Sequence, residues 1–394
     1  MDVFDKCREY KQAREIREAG VYSFFREVAS AQDPVVEIDG QELVMLGSNN
    51  YLGLTNHPEV KEAAGKALAK YGTGCAGSRL LNGTLDLHVR LEERLAAFME
   101  REAALTFSSG FQVNLGVLSC LLGRDDIVFL DTLDHACIID GARLGFAKMV
   151  KFRHNDMGDL ADRLRITDAD KGRLIVVDGV FSMEGDLCPL DELVQLAGRH
   201  DTRVMVDDAH GIGVLGEHGR GTAEHFGVED RVDLVMGTFS KSLAAIGGFV
   251  AGTAEVIDFI KHTARAEIFS AAPPPASIAA VMKAVELVQR EPERRAVLLE
   301  NTRYMKTELD RLGYDTGNSD TPVIPMVVGE DYTAFRMVKR LQEEGVFVNA
   351  VITPAVPPGR AMLRTSYMAT HTREHLDRAL DAMAKVGREE GVIS

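Results

Sequence analysis

Between about residues 104 and 252, short apolar runs alternate with helix-like stretches, and this alternation is the strongest constraint on the fold. Four runs end in a polar or small residue: IVFL before Asp131, LIVV before Asp178, VMV before Asp207 and DLVM before Gly237. Such a pattern is typical of βα units in a mostly parallel sheet between helices, an α/β fold. Because ligand sites in such sheets lie at the carboxyl ends of the strands, we expect Asp178, Asp207 and Gly237 to share one edge.

The rest of the chain predicts a division into three regions. Residues 1–45 indicate a helical arm and then a short β pair, VVEIDG and ELVMLG. Residues 46–275 form the predicted large domain, with one helix beginning near Pro58 and another over about 86–102. The proline cluster AAPPPA ends this domain. Residues 276–394, with long helices and the strands PVIPMVV, VFVNAV and MLRTS, predict a smaller C-terminal α+β domain.

The composition of the chain indicates which kinds of binding partner and which cellular compartment to expect. The 45 basic and 60 acidic residues give a net charge of −15, which would repel a polyanion, so we expect no nucleic-acid partner. No run approaches the roughly 20 apolar residues of a membrane span, and the charged N-terminal segment does not resemble a signal peptide. The five scattered cysteines, without a CxxC pair, predict reduced thiols. We therefore expect a cytoplasmic protein with peripheral membrane contact at most.

The segment GTFSK, which ends at Lys241, is the first candidate for chemistry. A lysine in a polar turn is by itself more often structural, and the GxxxxGK[ST] spacing of a phosphate-binding loop is absent. Here, however, a strand leads into the segment, and a glycine pair precedes the next apolar run. In that setting Thr238 and Ser240 could donate to a phosphate, while the Lys241 amine could form a Schiff base with an aldehyde.

The segment VMVDDAHGIGVLG contains the second candidate group. Asp207 follows a buried strand directly, and a carboxylate there could keep a pyridinium nitrogen protonated. His210, three residues further on, could bind a ring hydroxyl. An Asp at a strand–helix junction could instead serve only as a helix N-cap. A metal pair lacks a third ligand at a recognisable spacing, so we expect no metal.

Two segments upstream complete the set. SSGFQVN opens a helix, and the backbone amides of Gly110 and Phe111 at its N-terminus could bind phosphate, although a plain serine cap is an equal alternative. LDHACIIDG places His135 just beyond a strand end. A lone histidine is more often structural, but at this edge its flat ring could stack on a cofactor.

Together these segments resemble the α-oxoamine synthases, a fold-type-I family that uses pyridoxal 5′-phosphate (PLP). The matching pieces recur in family order across nearly the whole chain: SNNYLGL, GTGCAGSRLLNGT, SSGF, DHACIIDG, DGVFSMEGD, VDDAHGIGVLGEHGRG, GTFSKSLAAIGGF and LRTS. Each piece is weak evidence, whereas eight in order are strong evidence.

The resemblance implies a role for each candidate residue. Lys241 would hold the cofactor as a Schiff base and remove the substrate α-proton, His135 would stack on the ring, and Asp207 would pair with the ring nitrogen. The further contacts that it implies are to the phenolate oxygen from Ser182 and His210, to the phosphate from Gly110, Phe111, Thr238 and Ser240, and to the substrate carboxylate from Asn49 and Arg364.

The resemblance also implies a reaction and an assembly. The family condenses an amino acid with an acyl-CoA, releasing CO₂ and CoA and giving an α-amino ketone, in homodimers with active sites at the interface. Ser240 before Lys241 and the late MATHT resemble the branch that joins L-serine to palmitoyl-CoA, forming 3-ketodihydrosphingosine for sphingolipid synthesis. The alternatives are a glycine C-acetyltransferase, an 8-amino-7-oxononanoate synthase and, more remotely, a fold-type-I aminotransferase or a non-catalytic binding protein.

Two positions depart from the family pattern. Ala272 stands where many relatives carry a Ser or Thr that reaches the partner subunit's cofactor phosphate. The missing hydroxyl removes one hydrogen bond, usually worth about 1 kcal/mol. Ile352 stands where some members of the serine-using branch carry an arginine near the carboxylate. This departure counts against a mechanism that needs two arginines at the substrate carboxylate.

Overall fold

The structure is a computed structural model that describes residues 2–394. The chain divides into two compact units, a larger one over Asn49–Leu299 and a smaller one that combines the chain up to Ser48 with Glu300–Ser394. The first elements belong to the smaller unit: α1 (Asp5–Glu9), α2 (Gln12–Glu18), β1 (Val35–Ile38) and β2 (Gln41–Met45).

The larger unit contains the next elements, with a 3₁₀ turn at Glu229–Arg231: α3 (Pro58–Tyr71), α4 (Asp86–Phe98), β3 (Ala103–Phe107), α5 (Gly110–Leu121), β4 (Asp126–Asp131), α6 (Ala136–Leu144), β5 (Lys148–Phe152), α7 (Met157–Ile166), β6 (Gly172–Asp178), α8 (Leu190–Arg199), β7 (Arg203–Asp207), α9 (Thr222–Phe226), β8 (Leu234–Thr238), β9 (Gly248–Gly252), α10 (Ala254–Thr263), α11 (Arg265–Ile268) and α12 (Pro275–Arg290). The last elements are α13 (Glu293–Leu312), β10 (Val323–Gly329), α14 (Asp331–Glu343), β11 (Val346–Phe347), β12 (Asn349–Val351), β13 (Ala361–Ser366) and α15 (Arg373–Glu389).

A seven-stranded mixed sheet in the order β3-β9-β8-β7-β6-β4-β5 forms the centre of the larger unit. The five strands from β8 to β5 are parallel, whereas β9 is antiparallel to both neighbours. The four apolar runs of the sequence are β4, β6, β7 and β8, so the expected parallel sheet is confirmed. Asp178 and Asp207 are register partners at the ends of β6 and β7, as the strand pattern predicted.

The four inner parallel strands, β4, β6, β7 and β8, are buried along nearly their whole length. Phe129, Val176, Met205 and Val250, from four strands of the sheet, are each no more than 2% exposed in the structure. Val176, Met205 and Val250 belong to one apolar cluster, which residues of α5, α6 and α10 complete. Burial of both faces explains why these strands read as continuous apolar runs and not as an alternating pattern.

The smaller unit contains two three-stranded sheets, β1-β2-β11 and β10-β13-β12. The predicted β pair is confirmed as β1 and β2, joined through Asp39 and Gly40, which both adopt positive φ. The prediction of one strand for VFVNAV is wrong. The chain changes sheets at Val348, because β11 pairs with β2 and β12 pairs with β13.

The compact units differ from the predicted three regions at both ends. The larger unit extends past residue 275 to Leu299, because α12 packs on α3 and α4. The first 45 residues join the C-terminal part of the chain because β2 pairs with β11.

The helix predicted to about residue 102 ends at Phe98, since Glu100 takes a left-handed conformation with φ of 51°. Among residues 2–394, no helix is both long and apolar enough to cross a membrane.

Candidate active site

A cavity of about 340 Å³ opens at the carboxyl edge of the seven-stranded sheet, within the size range of small-molecule sites. Strand ends and the loops that follow them supply most of its lining. The structure brings nine of the predicted site residues into this lining: Gly110, Phe111, His135, Ser182, Asp207, His210, Thr238, Ser240 and Lys241. The same edge of one sheet therefore collects residues that are up to 131 positions apart in the sequence, from Gly110 to Lys241.

One end of the cavity is built for an anion. Ser109 caps α5, where its hydroxyl accepts a hydrogen bond from the Gln112 amide at 3.2 Å. A Cβ atom at Gly110 would lie 2.6 Å from Thr238 Oγ1, so only glycine leaves the helix N-terminus open beside that hydroxyl. The Ser240 hydroxyl lies 3.0 Å from Thr238 Oγ1. Two hydroxyls beside the amides of a helix N-terminus fit a phosphate group.

Asp207, the last residue of β7, is only 3% exposed although it lines the cavity. Its Oδ1 accepts from the Ala209 amide at 3.1 Å, and its Oδ2 accepts from Asn114 Nδ2 at 2.6 Å. A buried carboxylate is costly unless it is hydrogen-bonded or paired with a cation. This position fits a protonated ring nitrogen.

His135 caps α6 with its own ring. Its Nδ1 accepts from the Cys137 amide at 3.2 Å, and its backbone N–H donates to Asp178 Oδ2 at 2.6 Å. Desolvation by the surrounding atoms lowers the pKa of His135, which favours the neutral ring. Because Nδ1 accepts, the proton of the neutral ring lies on Nε2. The Phe111 and His135 rings form a T-shaped pair with centroids 6.4 Å apart.

His210 is connected to Asn49 through a tyrosine. The Tyr51 hydroxyl lies 2.6 Å from His210 Nδ1 and 3.2 Å from Asn49 Oδ1. Tyr51 is 1% exposed, so the link runs through a buried side chain. Asn49, predicted to assist the substrate carboxylate, thus belongs to the same polar network as a cavity residue.

Three aspartates fix the loop that carries His135. Asp178 binds the His135 backbone as described, Asp134 Oδ1 accepts from the Asp178 amide at 3.0 Å, and Asp134 Oδ2 accepts from the Asp131 amide at 2.7 Å. Burial raises the pKa of Asp134 and of Asp178 well above the ordinary range, and neighbouring carboxylates raise both further. The loop is therefore held by buried side chains and not by solvent-exposed contacts.

His154 supplies a cation to this acidic network. Its ring nitrogens lie 3.1 Å from Asp131 Oδ1 and 2.9 Å from Asp186 Oδ2. Desolvation alone would lower the pKa of His154, but the hydrogen bonds to these two carboxylates outweigh it and raise the pKa to about 10. The ring also packs edge-on against Phe181 with centroids 4.4 Å apart. His154 is therefore a charged anchor at neutral pH.

Asp208 anchors the segment that carries His210. It is fully buried, and both the Thr222 amide and the Thr222 hydroxyl donate to it at 2.6 Å. Burial raises its pKa to about 7, against the opposing effect of these hydrogen bonds. A side chain at Gly211 or Gly221 would overlap the Asp208 carboxylate, so both glycines are required for this close approach.

The remaining predicted positions lie outside the cavity lining. Arg364 is a buried residue of β13 in the smaller unit, and its role at the substrate carboxylate stays a prediction. Ile352 follows β12 in the same unit. Ala272 is buried in the larger unit, where its amide donates to the Gly77 carbonyl at 2.9 Å.

Sequence reasoning did not assign roles to Asn114, Cys137, Asp134, His154 or Asp208. One signal for Asn114 was present, because asparagine is unfavourable in the middle of a helix and a buried one needs polar partners. The others had no local signal, since their partners are set by the pairing of distant strands.

These features define the class of the protein. It has the architecture of the fold-type-I PLP enzymes: a mostly parallel seven-stranded sheet that carries a lysine, a buried aspartate and an anion site at its carboxyl edge. The chain matches the family model of class I and II aminotransferases over residues 41–383. It belongs to that family and, within it, to the α-oxoamine synthases, as the sequence motifs predicted.

Relatives and solved structures agree on this membership. A serine palmitoyltransferase of Sphingobacterium spiritivorum is 50% identical over 390 residues, covering 99% of this chain and 98% of the relative. An 8-amino-7-oxononanoate synthase of Symbiobacterium thermophilum is 48% identical over 379 residues, covering 96% and 97%. The structure of Sphingomonas wittichii serine palmitoyltransferase superposes with a TM-score of 0.97 at 36% identity and full coverage of both chains.

Proposed function

We propose that this protein is a PLP-dependent acyltransferase that condenses L-serine with a long-chain acyl-CoA, palmitoyl-CoA, to give 3-ketodihydrosphingosine, CO₂ and CoA. The observation that carries the proposal is the convergence of Lys241, Asp207 and His135 on one cavity with an anion site. The 50% identity to a serine palmitoyltransferase over nearly the whole chain supports the choice of substrates.

The residues present fit PLP at each of its polar groups. The amides of Gly110 and Phe111 and the hydroxyls of Thr238 and Ser240 would bind the phosphate. Asp207 would pair with the ring nitrogen, and Ser182 and His210 would contact the phenolate oxygen. When bound, PLP supplies an electron sink that stabilises negative charge on the α-carbon of the amino acid.

The chain's own residues supply attachment, proton transfer and orientation. Lys241 would hold the cofactor through its amine and, once released by the incoming amino acid, would accept the α-proton. His135 would stack on the ring, and its Nε2–H can donate to a substrate oxygen. Arg364, assisted by Asn49, would bind the substrate carboxylate, since a guanidinium can grip a carboxylate with two parallel hydrogen bonds.

Two observations favour serine over the other amino acids. Ser240 immediately precedes Lys241 and lines the cavity, as in the serine-using branch that the sequence resembles. Serine palmitoyltransferases from four bacteria are 46–50% identical to this chain over nearly its whole length. The second candidate is 8-amino-7-oxononanoate synthesis from alanine and a pimeloyl thioester, which the 48% identity of one such synthase favours.

A spectral titration tests the choice of amino acid. L-Serine, glycine and L-alanine are added separately to purified holoenzyme, and the visible absorption of the bound cofactor is recorded. Serine is expected to change the spectrum at the lowest concentration. A response to alanine or glycine without one to serine would contradict the proposal. Release of CO₂ and CoA in equal amounts separates the condensation from transamination.

The protein is further proposed to act as a cytoplasmic homodimer. The larger unit exposes large apolar side chains that a partner could cover, among them Leu81, which is 81% exposed, and Phe269, which is 72% exposed. All five cysteines are free thiols, as expected in a reducing compartment. Sedimentation equilibrium is expected to give twice the 43.1 kDa of one chain. A monomer at micromolar concentration would contradict the dimer.

A further inference from the structure

One polar pair beside the cavity has no role in the function proposed above. Asn114 on α5 and Cys137 on α6 lie between Asp207 and His135, and we name these two residues the bridge. Asn114 Nδ2 donates to Asp207 Oδ2 at 2.6 Å and to Cys137 Sγ at 3.0 Å. Cys137 in turn contacts His135 Nδ1, with its Sγ at 2.8 Å and its amide at 3.2 Å. The bridge thus connects the two side chains expected at the ring of the cofactor.

The bridge is almost fully buried, although Cys137 and Asp207 each present a small surface to the cavity. Asn114 is 0% exposed, Cys137 is 2% exposed and Asp207 is 3% exposed. With so little exposure the Asp207 carboxylate depends on protein donors, because an undersatisfied buried carboxylate is strongly unfavourable. Ala209 binds the other oxygen, so the two donors together fix the plane of the carboxylate.

The orientation of the Asn114 amide follows from its partner. The Asp207 oxygen accepts the hydrogen bond, so the Nδ2 group of Asn114 and not its Oδ1 faces Asp207. Oδ1 is buried and has no hydrogen-bond partner among residues 2–394. Such an oxygen lowers stability relative to an apolar side chain of the same size. The asparagine is therefore not explained by packing, whereas its donor to Asp207 explains it.

The cysteine acts as a thiol and not as a thiolate. Burial and the nearby Asp207 charge raise the pKa of Cys137 far above its ordinary value. A protonated thiol is a donor as well as an acceptor, so Cys137 can accept from Asn114 and donate to His135 Nδ1. Because Nδ1 accepts from the Cys137 amide, with the thiol beside it, the proton of His135 stays on Nε2.

We propose that Asn114 and Cys137 are positioning residues for the cofactor ring. The bridge holds the Asp207 carboxylate in one orientation toward the expected ring nitrogen, and it holds His135 in a single tautomer and ring plane. This inference rests on the proposed function, because it takes PLP as the ligand that Asp207 and His135 face.

The test is the PLP affinity of Asn114→Leu, which keeps the approximate size of the side chain and removes its donor. Full-length protein freed of cofactor is titrated with PLP, and the visible absorption gives the dissociation constant. The dissociation constant is expected to rise roughly tenfold, the usual effect of losing one hydrogen bond to a charged group. The matched control is Ser119→Ala on the same helix, whose hydroxyl donates to the Gly116 carbonyl at 3.3 Å. The control is expected to bind PLP like the wild type.

Two variants of Cys137 test the same proposal if Asn114→Leu does not fold. Cys137→Ala removes the thiol, and Cys137→Ser retains a donor and an acceptor of smaller size. We expect Cys137→Ala to weaken PLP binding several-fold and Cys137→Ser to restore most of the affinity. Wild-type affinity in Cys137→Ala overturns the proposal, as does wild-type affinity in a folded Asn114→Leu.

Failure of the bridge and failure of the proposed function give different results. A wild-type protein that does not bind PLP contradicts the proposed function as a whole. A wild-type protein that binds PLP, together with an Asn114→Leu variant of equal affinity, contradicts the bridge alone. The substrates are not needed for either outcome, so the choice of amino acid does not affect the test.

Discussion

The role of Lys241 is indicated by its position in the fold and not by its own sequence segment. Its segment reads as an ordinary polar turn, but the fold places that turn at the end of β8, on the cavity that Asp207 and His135 also line. The amine, the carboxylate and the ring then match the separate requirements of one cofactor. The chemistry is a property of this juxtaposition and not of the lysine alone.

The first prediction is therefore made for this residue. Lys241→Ala is expected to lower turnover by at least about 10²–10⁴-fold, the range for loss of a general acid–base group. The fold should persist, because the side chain lines a cavity and is not part of the apolar core. Single-turnover assays with L-serine and palmitoyl-CoA measure the effect, and circular dichroism controls for folding. Unchanged turnover in a folded variant would refute the assigned role.

At the scale of elements, buried hydrogen bonds hold the loops that carry the site residues. Asp208 and Thr222 fix the segment after β7, and Gly221 passes so close to Asp208 that a side chain would overlap the carboxylate. Gly221 also has φ of 100°, a conformation that other residues rarely adopt. The conformation of this segment therefore requires glycine at position 221, and the effect of a side chain there on stability can be measured.

We expect Gly221→Ala to destabilise the protein by about 3 kcal/mol or more, because backbone strain and overlap with a buried group add together. Gly227→Ala is the matched control, since Gly227 ends α9 with φ of 64° but a Cβ atom there would meet only open space. The control should cost only about 1–2 kcal/mol, the strain of a left-handed residue. Urea unfolding of both variants makes the comparison; equal losses would show that the Asp208 contact is unimportant.

The anchor of the His135 loop predicts a pH dependence. The pKa of His154 is about 10 in the folded protein against an ordinary value of 6.5, so its contribution to stability is complete below about pH 6.5 and is lost as the pH rises toward 10. His154→Ala should cost about 2 kcal/mol at pH 6 and clearly less at pH 9.5. Denaturant unfolding at both pH values measures this; a pH-independent difference would mean that His154 is neutral.

The elements that the sequence predicts well are those whose signal is local. β4, β6, β7 and β8 are buried on both faces and therefore appear as apolar runs. The division of VFVNAV between two sheets has no such signal, because each half is defined by a partner strand elsewhere in the chain. The hydrogen bond from Asn114 to Asp207 spans 93 residues and depends on the packing of α5 against the sheet, which no local pattern contains.

At the scale of the whole molecule, the family and its fold were predicted from eight motifs in order, and the comparisons bear both out. The substrate is harder to assign, because a serine palmitoyltransferase at 50% identity and an 8-amino-7-oxononanoate synthase at 48% are almost equally similar to this chain. The residues that define the class are those expected at the cofactor, so they do not distinguish the substrates. The smaller unit, with Arg364, contains the predicted carboxylate contact.

We expect Arg364→Lys to raise the KM for the amino acid about tenfold or more, while PLP binding stays unchanged. A point-charge ammonium cannot reproduce the two parallel hydrogen bonds of a guanidinium. Steady-state kinetics with varied serine measure the effect, and the PLP dissociation constant is the control. An unchanged KM would remove Arg364 from the substrate site.

The most direct test of the central claim is turnover with defined substrates. Purified holoenzyme is incubated with L-serine labelled at the carboxyl carbon and with palmitoyl-CoA, and labelled CO₂, free CoA and the lipid product are measured. Equal amounts of CO₂, CoA and 3-ketodihydrosphingosine, with no CO₂ when palmitoyl-CoA is omitted, are the predicted result. Turnover of L-alanine with pimeloyl-CoA and none with L-serine and palmitoyl-CoA would contradict it.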